Sequence, residues 1–215
     1  MLEKIFEIVW SIPAVLIAIT IHEYAHGRIA YRLGDPTAVQ AGRLTLNPLA
    51  HLDPIGTLML LIFHFGWAKP VPVNFNKLDN PKRDMVYVSL AGPVANILTA
   101  IAFAIILRVS YHFIFQITLT RDNIFLNIIT SFAKGWILFL QTGVIINLAL
   151  SIFNLIPVPP LDGSKILIGL LPNPLAYKYS KIESYGHIIL LILVLSGIIG
   201  KVLFPIVFFI YNLLI

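Results

Sequence analysis

Four stretches of this chain are apolar for longer than a soluble helix needs, and they constrain the fold more than anything else in the sequence. They run from about Ile5 to Leu33, from about Met85 to Leu107, from about Phe132 to Ile156, and from about His187 onward, the last interrupted at Gly197, Gly200 and Pro205. Crossing a hydrocarbon core of about 30 Å takes about 20 helical residues. Inside lipid every backbone polar group needs a partner within the chain, which for separate apolar segments means helices. Composition agrees: of 215 residues, 58% are hydrophobic and 12% charged, and the mean hydropathy is +0.89. The expectation is an all-α polytopic membrane protein with about four full transmembrane helices, forming one domain over residues 1–215. The first apolar run carries Glu3 and Glu7 and lacks a small-residue cleavage site, so it reads as a retained span rather than a secretory signal.

Two classes fall away at once. Without cysteine there is no disulfide, no thiolate metal site and no cysteine nucleophile. The net charge of +5 comes from scattered residues, with no Arg/Lys run interleaved with aromatics, so no nucleic-acid partner is expected.

Between the first two spans lies "IGTLMLLIFHFGW", too short to cross and read here as a re-entrant segment. Its flanks, "RLTLN" and "VPVNF", alternate apolar and polar residues, which predicts a small membrane-associated β-element, although a Pro- and Asn-rich interfacial loop has the same pattern. If the short run does not cross, the loops Arg28–Arg83 and Pro157–Gly186 share one face and hold most of the Lys and Arg. The opposite face has Lys4, Arg108, Arg121 and Lys134. The positive-inside rule then places the two basic loops in the cytoplasm and the N-terminus outside.

The first span contains "HEYAH". Residues four apart share a helical face, so His22 and His26 can present their imidazoles to one point, with Glu23 beside it. This is the H-E-x-x-H pattern: two zinc ligands, with the glutamate as base toward water activated by the metal. Three fixed positions also arise by chance, the histidines then satisfying each other or meeting lipid headgroups. Ionisable residues inside spans are rare and by default functional, which favours a metal site near the cytoplasmic end of the helix.

A catalytic zinc usually has a third protein ligand, which here must be His, Asp or Glu, and the candidates outside the helix are Asp35, His51, Asp53, His64, Asp79, Asp84, His112, Asp122, Asp162, Glu183 and His187. His112 and Asp122 lie on the wrong side. Asp35 and Asp53 each precede proline and read as turn or cap residues. His51 and His64 bracket the short run and read as interfacial or hydrogen-bonded, with substrate positioning as the alternative. Asp162 follows the third span in "NLIPVPPLDGSK", whose prolines break the helix and can hold a loop at membrane depth, and Gly163 permits close approach. The third span also carries Asn147, Ser151 and Asn154 on one face. Interhelical hydrogen bonding accounts for Asn147, Ser151 and for Asn96 in "AGPVAN". For Asn154, eight residues before Asp162, the alternative to such packing is to face the metal, where an amide donor could stabilise an oxyanion.

"HEYAH" together with "NLIPVPPLDG" resembles the site-2 protease family of intramembrane zinc metalloproteases. "GRLTLNPLAHLDPIGTL", "GWAKPVPVN" and "AGPVANI" further resemble its compact prokaryotic branch without a PDZ domain. The resemblance covers about residues 14 to 172. It implies one Zn2+ per chain held by His22, His26 and Asp162, Glu23 as catalytic base, and Asn154 as the residue that binds or polarises substrate. It also implies a multi-pass protein of the cell membrane acting on transmembrane protein substrates; the basic loops put the active site toward the cytoplasm. With no room for a PDZ domain in the loops, substrate selection falls to the membrane part, a regulatory membrane partner or a homo-oligomer. A helical substrate must unwind before cleavage, and the sequence suggests strand addition onto "RLTLN" or "VPVNF". Two rival functions are a metal transporter and a catalytically idle scaffold. The outer halves of the spans lack the polar residues a transport path needs, and an idle scaffold has no need to keep Glu23.

Overall fold

A computed structural model of the chain describes residues 2–56, 59, 67–118 and 124–215. Its architecture is helical: α1 (Leu2–Arg32), α2 (Thr37–Gln40), α3 (Pro81–Thr118), α4 (Ile124–Asn154), α5 (Asp162–Leu170), α6 (Asn173–Ser180), α7 (Gly186–Leu195) and α8 (Ile198–Leu214). Among the described residues, α1, α3 and α4 are each long and apolar enough to cross a membrane, and the C-terminal pair makes a fourth crossing if its two helices count as one span. That pair bends by 72°. The break falls at Gly197, whose φ of 72° an L side chain rarely adopts. Pro205 lies inside α8 rather than ending it.

The three long helices pack against one another, with α5 on α3 and α8 on α4. Away from the basic loops the core is apolar: Ala100, Phe103, Ala104 and Leu107 of α3 meet Leu140, Val144 and Leu148 of α4 and Leu203 and Val207 of α8. Small residues bring the helices together, as expected where lipid removes the hydrophobic drive and van der Waals fit decides. A Cβ at Gly143 would stand 2.6 Å from the Phe103 ring, and one at Gly135 would enter the Trp10 indole.

α1 ends where its sequence says stop. The Gly34 amide donates to the Tyr31 carbonyl at 3.4 Å and the Asp35 amide to that of Ala30 at 3.0 Å. Gly34 itself has φ of 98°. This is a Schellman stop, with glycine at the left-handed position.

The expected β-element is not formed: no strand occurs among the described residues, only one isolated antiparallel bridge between Leu52 and Ala68. The reason is where the backbone donors go. The Val71 amide donates to the Glu23 carboxylate at 2.7 Å and the Asn74 amide to Asp35 at 2.7 Å. Pro70 and Pro72 have no amide hydrogen to offer. In the other piece, the Thr45 carbonyl accepts from His51 Nε2 at 2.8 Å, and the Thr45 hydroxyl accepts from the Asn47 amide at 3.1 Å. Side chains therefore take the partners that a ladder would need, and the 71–74 segment has few donors left for a substrate strand. Most of the short apolar run between residues 55 and 67, with His64, lies outside the described residues.

Candidate metal centre

His22 and His26 sit one turn apart on the inner face of α1, both buried, and α5 brings Asp162 to them. Delivery depends on the turn between α4 and α5. Pro157, Pro159 and Pro160 end helical pairing after Asn154, and Asp162 occupies the first position of α5. Gly163 makes the approach feasible, since a Cβ there would collide with the backbone oxygens of Leu155 and Ile156.

The three ligand atoms form a near-equilateral triangle. His22 Nε2 and His26 Nε2 are 3.0 Å apart, and each is 3.2 Å from Asp162 Oδ2. Ligands at about 2.0–2.1 Å from a tetrahedral zinc would be about 3.3 Å apart, so the set has the right scale. Protonation strengthens the fit. His22 Nδ1 donates to Asn96 Oδ1, and His26 Nδ1 donates to the Val88 carbonyl at 2.7 Å. With Nδ1 carrying the hydrogen in each ring, both Nε2 atoms turn bare lone pairs inward. Asp162 Oδ2 is buried and has no hydrogen-bond partner. Three acceptor atoms facing one another with no hydrogen between them call for a cation.

A further feature belongs to α3. A Cβ on Gly92 would lie 2.6 Å from His22 Cε1 and 2.7 Å from His22 Nε2, and would run into His26 Nε2. The missing side chain is what leaves space at the triangle. Behind the ligands runs a chain of amides across all three long helices. Asn96 Nδ2 donates to the Ala18 carbonyl at 3.0 Å and to Asn147 Oδ1 at 2.8 Å, and Asn147 Nδ2 donates to the Gly143 carbonyl at 2.8 Å. Both amide nitrogens are thereby committed, which turns Asn96 Oδ1 toward His22. Partners of this kind fix ring orientation and raise ligand basicity.

Glu23 is half-buried, with Oε2 accepting the Val71 amide. Asn154 closes α4, and its Nδ2 donates to the Leu150 carbonyl at 2.9 Å, one turn back in its own helix. No hydrogen bond joins it to the triangle. Asp35 and Asp53 act as turn residues, accepting from the Thr37 and Gly56 amides at 3.0 and 2.7 Å. His51 is buried and donates to Thr45. Sequence reasoning treated Asn96 and Asn147 as packing groups and had no reason to single out Gly92 or the Val71 amide. An amide at Asn96, three residues after the Gly92-Pro93 pair inside an apolar run, is the available signal.

Comparison with known proteins agrees with this chemistry. Residues 10–195 match Peptidase family M50. The chain is 38% identical over 198 residues to "Putative zinc metalloprotease YwhC" of Bacillus subtilis (strain 168), covering 91% of this chain and 84% of that protein. It is 28% identical over 211 residues to "Putative zinc metalloprotease Rip2" of Mycobacterium tuberculosis (strain ATCC 25618 / H37Rv), covering 95% and 74% respectively. The Rip2 protein of Mycolicibacterium smegmatis is 26% identical over 204 residues, covering 92% and 71%. No solved structure gives a significant match. With its apolar helices and its two-histidine, one-carboxylate set, the chain belongs to peptidase family M50, the site-2 protease family, and is a multi-pass membrane zinc metallopeptidase.

Proposed function

We propose that the chain hydrolyses peptide bonds within or near the transmembrane segments of membrane-protein substrates, as in regulated intramembrane proteolysis. His22, His26 and Asp162 would hold one zinc per chain, with Glu23 as the general base. The observation that carries this reading is the inward-facing triangle of Nε2, Nε2 and Oδ2, with Gly92 leaving space beside it. When bound, zinc supplies Lewis-acid polarisation of the scissile carbonyl and an activated water.

The chain's own groups account for the rest. Glu23, next to His22 and held by the Val71 amide, takes the proton from water and passes it to the leaving amine. Asn96 and Val88 keep each Nδ1 protonated, so the ligand nitrogens stay bare through the cycle. Asn154 serves substrate once its amide leaves the Leu150 carbonyl, donating to the oxyanion or to the peptide backbone. An apolar cleft of about 230 Å³ lined by Leu16, Ile17, Thr20, Ile21, Leu46 and Pro48 lies on α1 immediately before His22, and its chemistry suits a lipid-soluble peptide.

The site works from the cytoplasmic side. Supporting this, α1 carries the triangle toward its C-terminal end, and the helix ends and connecting segments on that side hold Arg28, Arg32, Lys69, Lys77, Lys82 and Lys165 among others. Because the chain has no cysteine, single-cysteine variants give a clean readout of sidedness. A Ser180→Cys variant in intact cells should resist impermeant maleimide and react once the membrane is opened; labelling in intact cells would reverse the orientation. The activity is tested by co-expressing wild type or Glu23→Gln with a panel of single-span membrane proteins. Cleavage that requires Glu23, with zinc retained by the variant, is expected. Glu23-independent cleavage, or none by either form, would sink the assignment.

A further inference from the structure

Two carboxylates on the same side of the bundle, Asp35 buried and Glu23 half-buried, hold one short segment, and the catalytic scheme uses only one of them. Asp35 is fully buried just past the Schellman stop of α1. Its Oδ1 accepts the Thr37 amide at 3.0 Å and also the Thr37 hydroxyl, and its Oδ2 accepts the Asn74 amide at 2.7 Å. Three residues before Asn74, the Val71 amide donates to Glu23 Oε2 at 2.7 Å. Pro70 and Pro72 restrict the backbone on either side of Val71. The Val71 side chain is buried over Gly27, where a Cβ would come within 3.0 Å of Val71 Cγ1, 3.2 Å of Leu44 Cδ1 and 3.3 Å of Ala38 Cβ.

This arrangement answers a geometric difficulty in the motif. Successive helical residues differ by about 100° around the axis, so Glu23 leaves α1 in a different direction from His22 and must be steered back toward it. A free glutamate populates many rotamers. One fixed donor on Oε2 selects among them and leaves Oε1 for the water. We propose that the Val71 amide and Asp35 are positioning elements for Glu23: the amide fixes the carboxylate, and Asp35 sets the register of the segment that carries the amide. The inference rests on Glu23 being the base. It adds that the strand-like "VPVN" segment serves this site as a brace for the base.

The test uses the full-length zinc-loaded enzyme in detergent and a synthetic transmembrane peptide that the wild type cleaves. Replacing Val71 by its α-hydroxy acid turns the Pro70–Val71 amide into an ester, which removes the donor, keeps the side chain and weakens the Pro70 carbonyl as an acceptor. Val71→Ala keeps the donor and trims the side chain, and Asp35→Asn places an amide where the Asn74 N–H needs an acceptor. The ester is expected to lower kcat by between about tenfold and a hundredfold, with KM within about twofold and zinc content unchanged. Val71→Ala should lose less, and Asp35→Asn should show the same kcat-only pattern at smaller size. An ester with wild-type kcat overturns the inference. So does an Asp35→Asn variant in which kcat holds, or in which KM and zinc content move with it, since a merely structural role predicts either. Glu23→Gln separates the two levels: if it cleaves like wild type, the reading of Glu23 as base fails. If it is dead while the ester is active, only the positioning role fails.

Discussion

The two ends of the helical core are built on different physics. At the far end α3, α4 and α8 meet through the apolar side chains of Phe103, Leu107, Leu140, Val144, Leu203 and Val207. At the site end the buried residues of α1, α3 and α4 include His22, His26, Asn96 and Asn147, joined by directional hydrogen bonds. An apolar interface loses stability in proportion to the volume removed, and its neighbours partly relax. A hydrogen-bonded one fails at once, because each deletion leaves an orphan polar atom in a medium that cannot solvate it. The far end should therefore tolerate change in sequence with a cost in stability alone, while a change at the site end should cost function as well.

Gly92→Ala should break the contrast most sharply. The added methyl falls among His22 and His26, so the variant should lose stoichiometric zinc and all cleavage, with its helical circular dichroism unchanged. Full zinc content in that variant would mean the triangle is not where metal binds. Asn96→Leu comes next. It removes the acceptor that fixes the His22 tautomer, and chelator competition should show zinc affinity lower by about 10- to 100-fold.

Leu140→Ala probes the other end. It should cost about 2–5 kcal/mol of stability, read from denaturant titration in detergent, while specific activity at low temperature stays close to that of wild type. A larger loss of activity than Asn96→Leu shows would erase the distinction between the ends.

The smallest effect concerns pH. Burial alone would raise the Asp35 carboxyl, but the Thr37 hydroxyl, the Asn74 and Thr37 amides and the nearby Lys77 outweigh it, so it titrates below the usual carboxylate range. The unfolded chain therefore takes up protons first on acidification. The stabilisation is complete above about pH 4 and disappears as pH falls through the folded value. The gap in thermal midpoint between wild type and Asp35→Asn should be widest near neutrality and close below about pH 4. A gap that widened on acidification would show that the carboxylate is not held in its anionic form.

Much of this was legible in the sequence, and what was not has a common cause. The spans followed from length and hydropathy alone, and the shared inward face of His22 and His26 from helical spacing within one segment. Asp162 was reachable because prolines after α4 end the helix on the side where His26 lies. The β-element failed because alternation reports only which residues are apolar. It says nothing about where backbone donors go, and at Val71 and Asn74 they go to carboxylates at Glu23 and Asp35, far away in sequence. Asn96 and Asn147 were seen as polar residues in spans, yet their joint role depends on three helices meeting at one level. Gly92 could not be found from sequence at all, because its importance lies in the atoms it lacks.

The most direct test of the account is the zinc content of purified wild type beside Asp162→Ala and Glu23→Gln. The account predicts one zinc per chain in wild type, the same in Glu23→Gln without cleavage, and weak, readily chelated zinc in Asp162→Ala. Equal zinc in all three would remove Asp162 from the metal centre and contradict the triangle on which the proposed chemistry stands.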